Sequence, residues 1–135
     1  MKRLDVKFEL DDIAPDGHIG LIALATDYNI ETDLRRMLPE GVEMFTNRVL
    51  NANPVTIENL RSMSGDITRA AAGILPGKNL DVMIYGCTSG TAAIGESEVT
   101  TKIHAAQPNI PCTNPIAAAR AALNAFNSKK ISILT

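Results

Sequence analysis

The chain has 135 residues, a formal net charge of −2 and 45% apolar residues, of which few are aromatic. That length carries one domain with a core of its own, and the weak negative charge, with no basic block, excludes the electrostatic footprint of a nucleic-acid binder. No apolar run approaches the length needed to cross a bilayer, and residues 1–12 alternate charged with apolar residues, unlike a secretory signal.

Residues 1–17 read as a polar N-terminal arm and residues 18–135 as the domain. Residues 18–25 (HIGLIALA) predict a first strand, continuously apolar as a strand covered on both faces should be. Thr26-Asp27-Tyr28-Asn29 breaks it, and residues 30–38 predict a short helix before the turn at 39–41. Residues 42–49 form a second strand and 51–54 a loop. Thr56 can cap a long helix on which Ile57, Leu60, Met63, Ile67, Ala70 and Ile74 share one face. Pro76-Gly77 ends it, and residues 80–85 predict a third strand. Ser89 or Gly90 starts helical structure that runs, with a break near Gly95, to Ala106. Residues 109–113 are a short fourth strand, and Asn114-Pro115 supplies a cap and a first-turn proline. Ile116, Ala119, Leu123 and Phe126 give that last helix a stripe expected to be buried, and residues 130–135 predict a fifth strand.

Strand and helix alternating in this rhythm imply a three-layer α/β/α domain with a mostly parallel, four- to five-stranded sheet. In such sheets ligands bind beyond the carboxyl ends of the strands. The residues there are Thr26-Asp27, Cys87-Thr88-Ser89 and Thr113-Asn114, all small, polar or reactive, and they are expected to gather on one rim.

Cys87 is the centre of that group. Cysteine is commonly a small buried hydrophobe. Here it follows a strand, precedes a helix start, and has hydroxyl neighbours with Gly86 and Gly90 on either side. The spacing is reminiscent of a nucleophile elbow, in which a strand-to-helix turn pushes a side chain into a cleft. Backbone N–H groups and a helix N-terminus there would favour a thiolate and hold a carboxylate. Thr88 and Ser89 can simply cap the helix or donate hydrogen bonds to a carboxylate or an enolate-like intermediate. Asp27 can cap the first helix, orient the thiol's proton, or bind a substrate amino or hydroxyl group.

Cys112, inside the fourth strand, reads as structural. His18 and His104 have no partner at metal-ligand spacing, and Glu96 and Glu98 read as a solvated helix face, so no metal site is expected. Residues 73–78 (GILPGK) are one residue short of a P-loop, with Asn79 where a hydroxyl is needed. No Gly-x-Gly-x-x-Gly follows the first strand, no arginine stands six residues after Cys87, and there is no Cys-x-x-Cys. Dinucleotide binding, cysteine-phosphatase chemistry and thioredoxin-like redox work are thereby disfavoured. Two cysteines far apart make no disulfide framework, so a reducing cytoplasm is the expected compartment.

Ile19-Gly-Leu-Ile, Asp27-Tyr-Asn-Ile-Glu31-Thr32 and Asp81-Val-Met-Ile-Tyr-Gly-Cys87-Thr-Ser-Gly resemble the aspartate/glutamate racemase superfamily, in the branch of maleate cis-trans isomerase and arylmalonate decarboxylase. Tyr85-Gly-Cys-Thr-Ser-Gly-Thr-Ala92 is most similar to the ectoine-utilisation protein A group. The resemblance implies two similar α/β halves, each offering one cysteine to a cleft between them, with no cofactor. It puts Cys87 on the first-half catalytic cysteine and Thr88 and Ser89 on a carboxylate-binding pair. Asp27 falls where maleate isomerases place a substrate-binding asparagine, and a carboxylate there would repel a dicarboxylate such as maleate. Thr26 and Asn114, beside these at the rim, are further candidates for substrate binding.

Family members run to roughly twice this length, and Cys112 is too early to be the second cysteine. The chain therefore reads as an N-terminal half, inactive or nearly so alone, of a cofactor-independent racemase or isomerase. The expected substrate is a small carboxylate or amino-acid-like molecule, in ectoine or hydroxyectoine breakdown. Cis-trans isomerisation, decarboxylation and a non-catalytic carboxylate-binding module are the alternatives. A homo-oligomer is expected, and neither nucleic acid nor membrane as a partner.

Overall fold

The computed structural model describes residue 7 and residues 13–133. The arm expected over residues 1–17 lies mostly outside them. The chain alternates β1 (Gly17–Leu24), α1 (Ile30–Met37), β2 (Val42–Val49), α2 (Ile57–Ser62), α3 (Ser64–Ala72), β3 (Val82–Tyr85), α4 (Thr88–Ile94), α5 (Glu96–His104), β4 (Cys112–Thr113) and α6 (Pro115–Ala125). The sheet has the order β2-β1-β3-β4 with every pair parallel. Ile22 stands opposite Tyr85 and Ile84 opposite Thr113.

Side chains alternate across a strand, and the two faces of the sheet build two cores. Leu21, Ala23 and Met44 pack with Ile30, Leu34 and Leu38 of α1 and its flanks. Ile22, Val49, Met83 and Tyr85 join Met63, Ile67, Ala70, Val99 and Ile103 of the α2–α5 layer on the other face. Strands covered on both sides read as unbroken apolar runs, which is why β1 was legible in the sequence.

The single helix expected from Thr56 is two, α2 and α3, with Met63 between them. Thr56 caps as expected, its hydroxyl accepting from the Asn59 N–H at 3.1 Å. Of the expected face, Met63, Ile67, Ala70 and Ile74 are buried while Ile57 is exposed. The break between α4 and α5 falls at Gly95, with φ at 101°.

Two expectations are corrected. The stripe on α6 is not buried: no residue of that helix is, and Phe126 is 83% exposed. The 3.6-residue spacing marks an apolar face, but nothing among the described residues covers it. No fifth strand forms over residues 130–133, while residues 134–135 lie outside the description. A strand needs a partner edge to bond to, and β4, the last strand, is only two residues long.

Candidate active site

Because all four strands run the same way, β1, β3 and β4 end on one edge of the sheet, and Thr26-Asp27, Cys87-Thr88-Ser89 and Asn114 follow directly from those ends. The connection from β1 leads outward to β2 and that from β2 crosses back to β3, so β1 and β3 flank the point where the strand order reverses. A crevice for ligands opens at such a point.

The turn after β1 is tied down by its own polar groups. Asp27 Oδ1 accepts from the N–H groups of Asn29 and Ile30 at 2.9 and 3.0 Å, opening α1 in place of Asn29, whose side chain makes no cap bond. Arg48 of β2 donates to the carbonyls of Leu24 and Asp27 at 2.7 and 2.6 Å and forms an ion pair with Glu31. The hydroxyl of Thr26 donates to Asn51 Oδ1 at 3.1 Å. Gly86 lets this turn approach β3, since a Cβ there would meet Ile30 Cδ1 at 2.5 Å.

Cys87 is the N-cap of α4, with extended backbone at φ −136° and ψ 111°. Its Sγ accepts from the Gly90 N–H at 3.1 Å and lies 3.8 Å from Ser89 Oγ. A sulfur thus takes the place usually held by a Ser, Thr, Asp or Asn oxygen. Only 5% of Cys87 is exposed, so the sulfur is tucked beneath the first turn of α4 rather than standing out into the rim. The buried Thr91 hydroxyl donates to the Cys87 carbonyl at 2.6 Å and fixes the same turn.

Tyr85 ends β3 two residues before Cys87, whose N–H turns back to the Tyr85 carbonyl at 3.0 Å, and its side chain is fully buried. A Cβ on Gly90 would sit 2.8 Å from Tyr85 Oη, 2.9 Å from Cys87 Sγ and 2.9 Å from Met63 Cε. Gly90 therefore leaves room beneath the helix for both the phenol and the thiol. Tyr85 Oη has no hydrogen-bond partner. Burial first, and the electrostatic influence of neighbouring Cys87 second, push the phenol upward, so it stays protonated.

Thr88 and Ser89 are both exposed. Thr88 opens on a groove of about 540 Å³ along α6, lined by Ile116, Leu123 and Arg120 among others. Ser89 opens on a smaller one of about 330 Å³ with Ile57, Leu60 and Arg61. Cys87 lines neither of these two.

Asn114 is 7% exposed and caps α6, its Oδ1 accepting from the Ala117 N–H at 2.9 Å. Nearby, the Glu96 carboxyl is held below the usual carboxylate range chiefly by Arg120, with a smaller influence from Asn114. Asp27 and Asn114 are thus both spent on opening helices. Cys112 Sγ donates to the Ile110 carbonyl at 3.4 Å, and burial pushes its thiol up. His104 Nε2 lies 2.9 Å from the same carbonyl, and the His18 ring stacks on Phe45.

The sequence reading missed Arg48, Tyr85 and Thr91. An arginine inside an apolar strand and a tyrosine two residues before the cysteine were the available signals. No set of three His, Cys, Asp or Glu among the described residues could hold a metal ion.

The architecture has counterparts among solved structures. The chain is similar in structure to the maleate isomerase Iso from Pseudomonas putida S16, with a TM-score of 0.65 and 21% identity over 82% of this chain and 50% of that one. A cysteine-to-alanine form of that enzyme, crystallised with maleate, matches at a TM-score of 0.66 and 22% identity, over 82% of this chain and 49% of that one. The chain thus spans about half the length of these structures. No protein-family model and no curated protein matches it.

Proposed function

We propose that this chain carries one wall of the active site of a cofactor-independent isomerase or racemase acting on a small carboxylate, with Cys87 as its proton-transfer or nucleophilic group. The observation that carries this reading is the placement of Cys87. It stands at the switch point of a maleate-isomerase-like sheet, sulfur bonded by a helix N-terminal N–H and flanked by two exposed hydroxyls.

The chemistry follows from that arrangement. The Gly90 N–H points at the sulfur and offsets negative charge that develops there. Thr88 and Ser89 present hydroxyls and free N–H groups of the first helical turn, which suit the carboxylate or enolate oxygens of a substrate. With the carboxylate so held, the thiolate takes the proton from the adjacent carbon and returns it, or adds to that carbon. Asp27, engaged by the α1 amides and backed by Arg48, shapes the edge of the site, where its charge disfavours a dicarboxylate. Thr26 and Asn114 stand at the margins of the same rim.

The finer assignment, an amino-acid-like substrate of ectoine or hydroxyectoine breakdown, is supported by the likeness of residues 85–92 alone, and a cytoplasmic compartment only by two cysteines that make no disulfide framework; a homo-oligomer is proposed with them. Within the described residues no helix is long and apolar enough to cross a membrane.

The test is exchange of solvent deuterium into the α-carbon of candidate amino acids, hydroxy acids and unsaturated acids, using the protein as the cell makes it. Cys87→Ala is expected to lower exchange at least about a thousandfold with an unchanged circular dichroism spectrum. Exchange at the unsubstituted rate would remove Cys87 from the chemistry. Label retained in an inverted product identifies racemisation, and release of carbon dioxide identifies decarboxylation.

The burial of the sulfur favours a second reading, a module that binds a small carboxylate without turning it over. Carboxylate binding by calorimetry that survives Cys87→Ala, with no exchange by either protein, would establish it.

A further inference from the structure

We propose that the Tyr85 hydroxyl is the hydrogen-bond donor that steadies the Cys87 sulfur once it is ionised, which makes Tyr85 a positioning residue for the cysteine. The inference rests on the reading of Cys87 as a working thiolate.

A buried hydroxyl with no partner costs stability, and replacing it with hydrogen on the same ring removes that cost. Tyr85 is fully buried among Met63, Ile67, Val99 and Ile103, where phenylalanine would fit equally well. Yet its Oη is unpartnered and aimed at the space beneath α4. The place where a Cβ on Gly90 would stand is 2.8 Å from that oxygen and 2.9 Å from Cys87 Sγ, so the two atoms border the same small space, with no hydrogen bond between them in the structure. A neutral thiol already bonded by the Gly90 N–H makes little demand on the phenol. A thiolate accepts several hydrogen bonds, and those to charged groups are the strong ones.

The electrostatics agree. Apart from burial, the group acting on the phenol is Cys87, and no carboxylate, ammonium or guanidinium contributes. Burial above all, with Cys87 second, keeps the phenol protonated and therefore able to donate. No proton is transferred between the two: the phenol closes on the ionised sulfur and its proton stays with oxygen.

Thiolate absorbance in the ultraviolet tests this without requiring turnover or access to the sulfur. Cys112→Ser leaves Cys87 as the chain's one thiol, and the same chain with Cys87→Ser supplies the blank. In that background Tyr85→Phe is expected to lower the thiolate-to-thiol ratio at pH 7 about tenfold, the effect of one hydrogen bond to a charged acceptor. Should Tyr85→Phe fail to fold, Tyr85→Leu lacks the hydroxyl too and must show the same fall. An unchanged ratio in a folded variant overturns the role of Tyr85. That result leaves the catalytic reading of Cys87 to the exchange experiment, which fails or stands separately.

Discussion

Gly90, in the first turn of α4, packs over Tyr85 and Met63, and it permits the whole arrangement around Cys87. A methyl group there would press at 2.8–2.9 Å on Tyr85 Oη, Cys87 Sγ and Met63 Cε at once. Gly90→Ala is therefore expected to destabilise the fold by about 1–3 kcal/mol, the usual cost of overpacking a core, read as a lower denaturant midpoint at unchanged slope. Gly65, in α3, has nothing within 4 Å of a Cβ, so Gly65→Ala should instead stabilise by up to about 1 kcal/mol. Equal midpoints for the two variants would mean that the space under α4 is looser than it looks. At this scale the sequence revealed which residue types meet at the rim but not what each is bonded to. Cys87 between Gly86 and Gly90 was visible as a turn. That its sulfur points back under the helix, toward a tyrosine two residues earlier, depends on packing against Met63, which no local spacing encodes.

At the scale of elements, α6 shows how far periodicity reaches. Its start was legible, because Asn114-Pro115 is both a cap and a first-turn proline, and the Asn114 side chain does accept from Ala117 N–H. Its apolar stripe was legible too, but a stripe says that a face is apolar and not what it faces, and here nothing described covers it. What ties α6 to the domain is polar: Arg120 donates to both Glu96 oxygens at 2.9 Å. Glu96 ionises more readily in the fold than in the unfolded chain, so its contribution is complete above the ordinary value of 4.5 and is lost as pH falls below it. Hydrogen exchange of the α6 amides should accordingly accelerate on acidification through that range, and Glu96→Gln should show the fast rate already at pH 7. The pair is solvent-exposed, so added salt should weaken the effect. Exchange in α6 that ignores both pH and Glu96→Gln would show that the cap alone holds the helix.

The whole molecule was the most legible level, because a doubly wound sheet follows from the order of its elements. Strands alternating with helices fix parallel pairing and right-handed crossovers, and those put the carboxyl ends of β1, β3 and β4 on one rim whatever the side chains do. The same layering buries Tyr85 completely, and that has a consequence for the stability of the entire domain. Burial and the neighbouring Cys87 raise the phenol above its ordinary value of 10.0. Folded Tyr85 therefore holds its proton where the unfolded chain releases it, so its contribution is complete below pH 10 and declines as pH rises beyond it. The loss approaches about 1.4 kcal/mol per pH unit for a single such group. Cys112, raised by burial from an ordinary value of 9.0, acts in the same direction and is best removed by Cys112→Ser. In that background the free energy of unfolding should fall steeply above pH 10, and Tyr85→Phe should flatten the fall while leaving neutral-pH stability unchanged or slightly higher. If the two proteins lose stability with equal slopes in alkali, the phenol is not confined as the packing implies, and its standing beside the sulfur would have to be given up with it.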